Sequence, residues 1–168
     1  MRTSLLLIPL FALLTGCTGY RLGSMLPRDV QSAHVNIARN LTEEPNLETD
    51  VTTAVLAQMQ RDGSLRVTNA ASADAELYID ISAFRLEPLA FDADNRARPN
   101  EFRMILEGRV ELIRRRDGAT LVRSATLTGR STFEFTGDLT SAKRTALPAA
   151  AEDLARHLVS AVTEAWTD

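Results

Sequence analysis

Two hydrophobic periods alternate along this chain. Between Leu47 and Met59 apolar residues recur every four positions, at Leu47, Val51, Val55 and Met59, with Ala54 and Leu56 beside them. That spacing predicts an amphipathic helix. Pro45-Asn46 opens it and Asp62-Gly63 stops it, while Glu43, Glu44, Glu48 and Asp50 crowd the start, where the positive end of the helix dipole favours them. A second stripe, Leu147, Ala151, Leu154, Leu158, Val162 and Ala165, predicts a final helix with Trp166 at its end and Pro148 early, in the first turn or at a kink. From Glu76 the period changes to two. Leu77, Ile79, Ile81 and Ala83 share one face and Tyr78, Asp80, Ser82 and Phe84 the other, and Pro88 closes or frays that strand. After an aperiodic charged loop, Phe91 to Asn100, a long strand runs from Phe102 to Arg115, with Phe102, Met104, Leu106, Gly108, Val110 and Leu112 inward. Arg116-Asp117-Gly118 is a hairpin turn, because Asp-Gly accepts positive φ. The return strand spans Thr120 to about Thr136, with Leu121, Ala125, Leu127, Phe133 and Phe135 on one parity. Short strands are expected at Ala33–Ala38, with Val35 and Ile37 on one face, and at Leu65–Thr68. The order β-α-β-β-β-β-α predicts an α+β fold, a two-layer sandwich of one mostly antiparallel β-sheet packed against two α-helices.

The N-terminus follows a different logic. Met1-Arg2 is a short positive region, and Leu5 to Leu14 is an apolar run interrupted only by Pro9. A run this short falls well below the ~20 residues of a membrane span but suits a secretory signal. It ends in Leu14-Thr15-Gly16-Cys17, which resembles a bacterial lipobox, with Cys17 the lipid-attachment residue. The expected organisation is a signal peptide over 1–16, a lipidated tether over 17–32 rich in Gly, Ser and Pro, and a single α+β domain over 33–168. A triacylated cysteine anchors firmly, at ~0.8 kcal/mol per buried CH₂, so attachment to the membrane through the N-terminal lipid needs no spanning helix. Thr18 stands where an inner-membrane lipoprotein of enteric type often carries Asp, which favours the outer membrane, with the domain on its periplasmic side.

Composition narrows the chemistry. The chain has 168 residues, 19 basic against 22 acidic, a net charge of −3 and only 5% aromatic residues. No nucleic-acid partner is expected, since binding a polyanion needs a cationic excess and stacking platforms. One cysteine and two distant histidines, His34 and His157, offer no metal site. No cofactor loop, nucleophile elbow or triad context is present, so no cofactor and no enzymatic activity are expected. Glu107 and Glu111 alternate with Arg103 and Arg109 on one strand face and read as a charged ladder. Between Arg96 and Arg130 nine arginines face four acids, inside an acidic protein whose one lysine is Lys143. Arg96 and Arg98 flank the aperiodic loop and are the candidate contacts for an anionic glycolipid, because guanidinium forks match phosphate geometry.

Cys17-Thr18-Gly19-Tyr20-Arg21-Leu22 resembles the start of the LptE lipoproteins, which commonly begin Cys-Gly-Tyr. The likeness continues through Leu26-Pro27, the strand Val35 to Asn40, Pro45-Asn46-Leu47-Glu48, Asp62-Gly63, Ala73-Asp74-Ala75-Glu76-Leu77 and a last helix ending in Trp166. Thr18 is an extra residue between Cys17 and Gly19-Tyr20, and the Arg-rich hairpin is not a family hallmark. The resemblance implies a subunit that plugs and helps assemble the outer-membrane β-barrel LptD and assists delivery of lipopolysaccharide to the cell surface. The alternative is an auxiliary lipoprotein of another envelope transporter or of peptidoglycan synthesis.

Overall fold

The computed structural model describes residues 27, 29–92, 98–135 and 137–164. Cys17, Arg96, Ala165 and Trp166 lie outside them. The elements are β1 (Ser32–Val35), β2 (Arg39–Asn40), α1 (Leu47–Asp62), β3 (Arg66–Val67), β4 (Ala75–Phe91), β5 (Pro99–Arg114), β6 (Thr120–Arg123), β7 (Leu127–Glu134) and α2 (Leu139–Thr163). β4 and β5 form a long antiparallel hairpin, from Ala75 opposite Arg114 to Phe91 opposite Pro99. β1 and then β2 pair parallel with the first half of β4, and β3 lies parallel outside β1. A parallel pair needs a crossover, and α1 supplies it between β1 and β3. β6 and β7 follow one another along β5, both antiparallel to it. The sheet is therefore mixed, its long pairings all antiparallel, and the α+β sandwich expected from the periodicity is the observed fold.

Both helices bury their stripes in one core. α1 contributes Leu47, Val51, Ala54, Val55 and Met59, and α2 contributes Leu154, Leu158, Val159, Val162 and four alanines. They meet Leu77, Ile79 and Ile81 of β4, Met104, Leu106, Val110 and Leu112 of β5, and Val122 of β6. Gly63, at φ 73°, ends α1 in the left-handed conformation that favours glycine, and its N–H reaches the Met59 carbonyl. Asp138 caps α2 by accepting from the N–H groups of Thr140 and Ser141. At the hairpin turn Gly118 takes φ 70° and donates to the Arg114 carbonyl, as the Asp-Gly pair requires.

Several local expectations are corrected. β4 does not stop at Pro88 but continues to Phe91, and it carries a bulge between Ile81 and Ala83. One extra residue reverses the side-chain parity. Phe84 and Leu86 therefore pack against the core, whereas Phe84 is expected outside and Ala83 inside. The return strand is two strands, broken at 124–126. Val122 is the buried residue of β6 and Ala125 is exposed, while Leu127 and Phe133 keep their expected face. β1 ends at Val35, leaving Ile37 77% exposed beside the buried Val35. α2 starts at Leu139, so Pro148 lies well inside the helix and not in its first turn. Val30 and Ser32 are buried, so packing extends into the stretch expected as tether.

Candidate functional site

The helices cover one face of the sheet, and the other face carries alternating charges. Asp80 on β4 holds the centre of that face. Arg39 of β2 binds it with a two-pronged fork, Nε to Oδ1 at 2.9 Å and a terminal nitrogen to Oδ2 at 2.8 Å. Arg109 of β5 reaches the same Oδ2 at 2.9 Å from the other side. The hydrogen bond from Arg39, supported by Arg109, holds the Asp80 carboxyl below the ordinary carboxylate range against the opposing effect of burial. Arg123 pairs with Glu111 at 2.6 Å, Arg115 with Glu76 at 3.2 Å, Arg103 with Glu87 at 3.8 Å, and Arg85 with Glu107. The charged ladder expected on β5 is present, and the arginine excess is met in part by Glu76, Asp80 and Glu87 of β4 and in part by Asp29. His34, Asn36, Ile37, Tyr78 and Ile113 line the shallow trough around Asp80, with the segment Ser124 to Thr126 as its far wall.

At one end of the hairpin the chain enters the domain through two carboxylates. Asp29 pairs with Arg114 at 3.1 Å and Arg116 at 3.0 Å. Asp74 accepts from the Ser32 hydroxyl at 2.7 Å and from the N–H groups of Ser32 and Gln31 at 3.0 and 3.1 Å. Those bonds, the Ser32 hydroxyl foremost, hold the Asp74 carboxyl below its usual range. Nothing in the sequence marks this clamp, because its two halves lie some forty residues apart. Asp74→Ala is expected to lower stability by about 1–3 kcal/mol, since it strands three donors, two of them on the buried Ser32. Chemical denaturation checks it, and an unchanged midpoint would mean that water replaces the carboxylate without loss.

Acid should loosen the same contacts. Asp29, Asp74, Glu76, Asp80 and Glu111 all sit below their ordinary values in the folded chain, chiefly through hydrogen bonds from Arg114, Ser32, Tyr78, Arg39 and Arg123 respectively. A carboxyl lowered on folding contributes stability above its unfolded value, and that contribution disappears as pH falls through the folded value. The melting temperature is therefore expected to hold above about pH 5 and to fall steadily below about pH 4. Thermal melts across that range test it, with a pH-independent melt as the contrary result.

At the other end of the hairpin lies Arg98, its guanidinium 5.9 Å from the Phe135 ring centroid. Phe135 and Phe133 both pack on Phe102, at 6.1 and 5.8 Å between centroids. The structure thus seats Arg98 on an aromatic cluster. The two histidines make main-chain contacts. Nδ1 of His157 is 2.9 Å from the Thr128 carbonyl and that of His34 is 3.2 Å from the Thr68 carbonyl, so each Nδ1 facing an acceptor carries the proton. Among the described residues no group of three His, Cys, Asp or Glu is placed to hold a metal ion, and no helix is long and apolar enough to cross a membrane.

Solved structures share this architecture at low sequence identity. PelC from Paraburkholderia phytofirmans, solved as a dodecamer, is 17% identical, with 84% of this chain and 94% of that chain aligned at a TM-score of 0.55. A hypothetical protein from Chlamydia trachomatis is 9% identical over 80% of this chain and 96% of its own, with a TM-score of 0.56. A minor lipoprotein from Acinetobacter baumannii is 11% identical over 81% and 94%, with a TM-score of 0.53. These likenesses show a shared fold. No curated protein matches the sequence. The sequence model of one family, LptE, described as lipopolysaccharide-assembly, matches residues 30–162, from the buried Val30 at the tether clamp to the last core residue of α2. With that match spanning both helices and every strand, the chain belongs to the LptE family of lipopolysaccharide-assembly proteins.

Proposed function

We propose that this protein is a lipid-anchored outer-membrane subunit that plugs the lipopolysaccharide-transport barrel LptD, helps it assemble and assists delivery of lipopolysaccharide to the cell surface. The family match over residues 30–162 carries the reading. The self-paired charges of the open sheet face support it, because the lumen of a large outer-membrane barrel is polar and a plug must meet it without unpaired buried charge. Its role is non-enzymatic. Affinity purification from detergent-solubilised membranes should return a stoichiometric outer-membrane barrel, and recovery of the chain alone, or with components of another envelope transporter, would overturn the reading.

Cys17 is the proposed lipid-attachment residue. Cys17→Ala is expected to abolish incorporation of a palmitate analogue and membrane retention while leaving the melting temperature of the domain unchanged. A wild-type chain that takes up no label would refute the anchor.

Arg96 and Arg98 are the proposed glycolipid contacts. Arg98 lies at the end of the β4–β5 hairpin remote from the Asp29 clamp. Phosphate is a better partner for guanidinium than a ring face, and an anionic headgroup would draw Arg98 off Phe135. Arg96→Glu with Arg98→Glu should weaken binding of purified lipopolysaccharide several-fold at low salt, and less at high salt, with the barrel complex intact. Equal binding by the double variant at low salt would reject the assignment.

A further inference from the structure

The two long edges of the sheet are treated differently. On the β7 side α2 guards the edge. Asp153 accepts the Arg130 N–H at 2.8 Å and His157 donates to the Thr128 carbonyl at 2.9 Å, so side chains occupy the groups that an added strand would need. On the β4 side, β1 and β2 end their pairing at Ile81, whose carbonyl accepts the Leu41 N–H at 3.0 Å. From Ser82 to Phe91 no strand among the described residues pairs with the outer edge of β4. Ser82, Arg85, Glu87, Pro88 and Leu89 are exposed there. Three of the chain's large exposed hydrophobic residues border this edge, with Leu41 at 52% exposure at one end and Leu89 at 37% and Phe91 at 49% at the other.

We propose that this edge pairs with the same edge of a second copy, antiparallel, about a two-fold axis at Leu86. The sequence is self-complementary about that residue. Arg85 of each copy faces Glu87 of the other, so both cross-strand pairs join opposite charges. Phe84 meets Pro88, apolar against apolar. The same axis sets Leu89 of one copy opposite Ala83 of the other, and the pairing stops short of Ile81, whose outer edge Asn40 and Leu41 already occupy. Such a contact is isologous and closes at two copies. Pro88 brings no N–H, which keeps the pairing short. Main-chain hydrogen bonds supply the attraction and the alternating side chains set the register, as in other strand additions.

The pairing does not rest on the barrel reading. A chain that co-purifies with a barrel yet never self-associates refutes the pairing alone. Residues facing each other across an antiparallel hydrogen-bonded pair stand about 5.5 Å apart at Cα, within the reach of a disulfide. In the full mature chain carrying Cys17→Ala, which removes the one native cysteine, Leu86→Cys is expected to form a disulfide-linked dimer under mild oxidation. Thr132→Cys, on the guarded β7 edge, is expected to stay monomeric. In sedimentation without an introduced cysteine, Arg85→Glu should weaken self-association about tenfold by setting like charges opposite each other twice. Adding Glu87→Arg should restore it, although neither change restores the pairs with Glu107 and Arg103 inside one copy. A chain monomeric at every accessible concentration, equal cross-linking by Thr132→Cys, or a charge swap without recovery would each overturn the proposal.

Discussion

Gly129→Ala should melt roughly 10 °C or more below the parent chain, the loss of about 3 kcal/mol or more from a fold worth ~5–15. Gly129 lies on β7 directly beneath α2. A Cβ there would stand 2.4 Å from the Leu154 nitrogen, 2.5 Å from the Ala150 carbonyl oxygen and 2.5 Å from the Leu154 Cβ. Two of those atoms are helix backbone, so no rotamer change relieves the overlap and α2 itself must lift away from the sheet. Alanine otherwise favours the folded chain over glycine in a strand by about 0.5–1 kcal/mol, because it has less freedom to lose. The clash outweighs that gain. Trimming the opposing side chain should not rescue the variant, and Gly129→Ala with Leu154→Ala is expected to melt below either single change. A Gly129→Ala melt within a degree or two of the parent would mean that α2 does not sit this close.

Leu154→Asp should leave no cooperatively folded domain. Leu154 has no exposed surface and stands above both Gly129 and Gly108, its Cδ2 3.5 Å from the Cβ position of the latter. Truncation to alanine alone should cost about 2–5 kcal/mol. Aspartate adds the burial of a carboxylate among apolar neighbours, several kcal/mol more, and the total meets or exceeds the stability of the whole domain. Far-ultraviolet circular dichroism with thermal melting decides it, with Glu152→Lys on the exposed side of the same helix as the control. A native-like melt for Leu154→Asp would place this stripe against solvent or a partner instead of the core.

These two positions show how far local pattern reached. The four-residue spacing of Leu47, Val51, Val55 and Met59 located α1 to its terminal residues, because a helix stripe depends only on neighbours one turn away and Asp62-Gly63 punctuates it unmistakably. The Asp-Gly turn and the inward parity of β5 were equally legible, since Met104, Leu106, Val110 and Leu112 keep one unbroken alternation. The ladder of arginines and glutamates on β5 followed from the same parity.

What sequence alone determined, then, is whatever a period of two or 3.6 and a nearby glycine or proline can specify: both helices, the central hairpin, the inward face of β5 and the two-layer class. Tertiary structure decided the rest, wherever an outcome depends on atoms distant in the chain. The Ser82 bulge reverses which residues of β4 face the core, and no local signal announces it, since it is set by alignment with β5 and the helices above. Asp80 becomes a shared counter-ion only when β2 and β5 bring Arg39 and Arg109 to it, and Asp74 becomes a clamp only when Ser32 is laid alongside. Gly129 reads in sequence as a flexible strand residue. It is required because α2 packs its backbone into the space that any side chain would fill, and which strand lies under which helix is settled by the packing of the whole core.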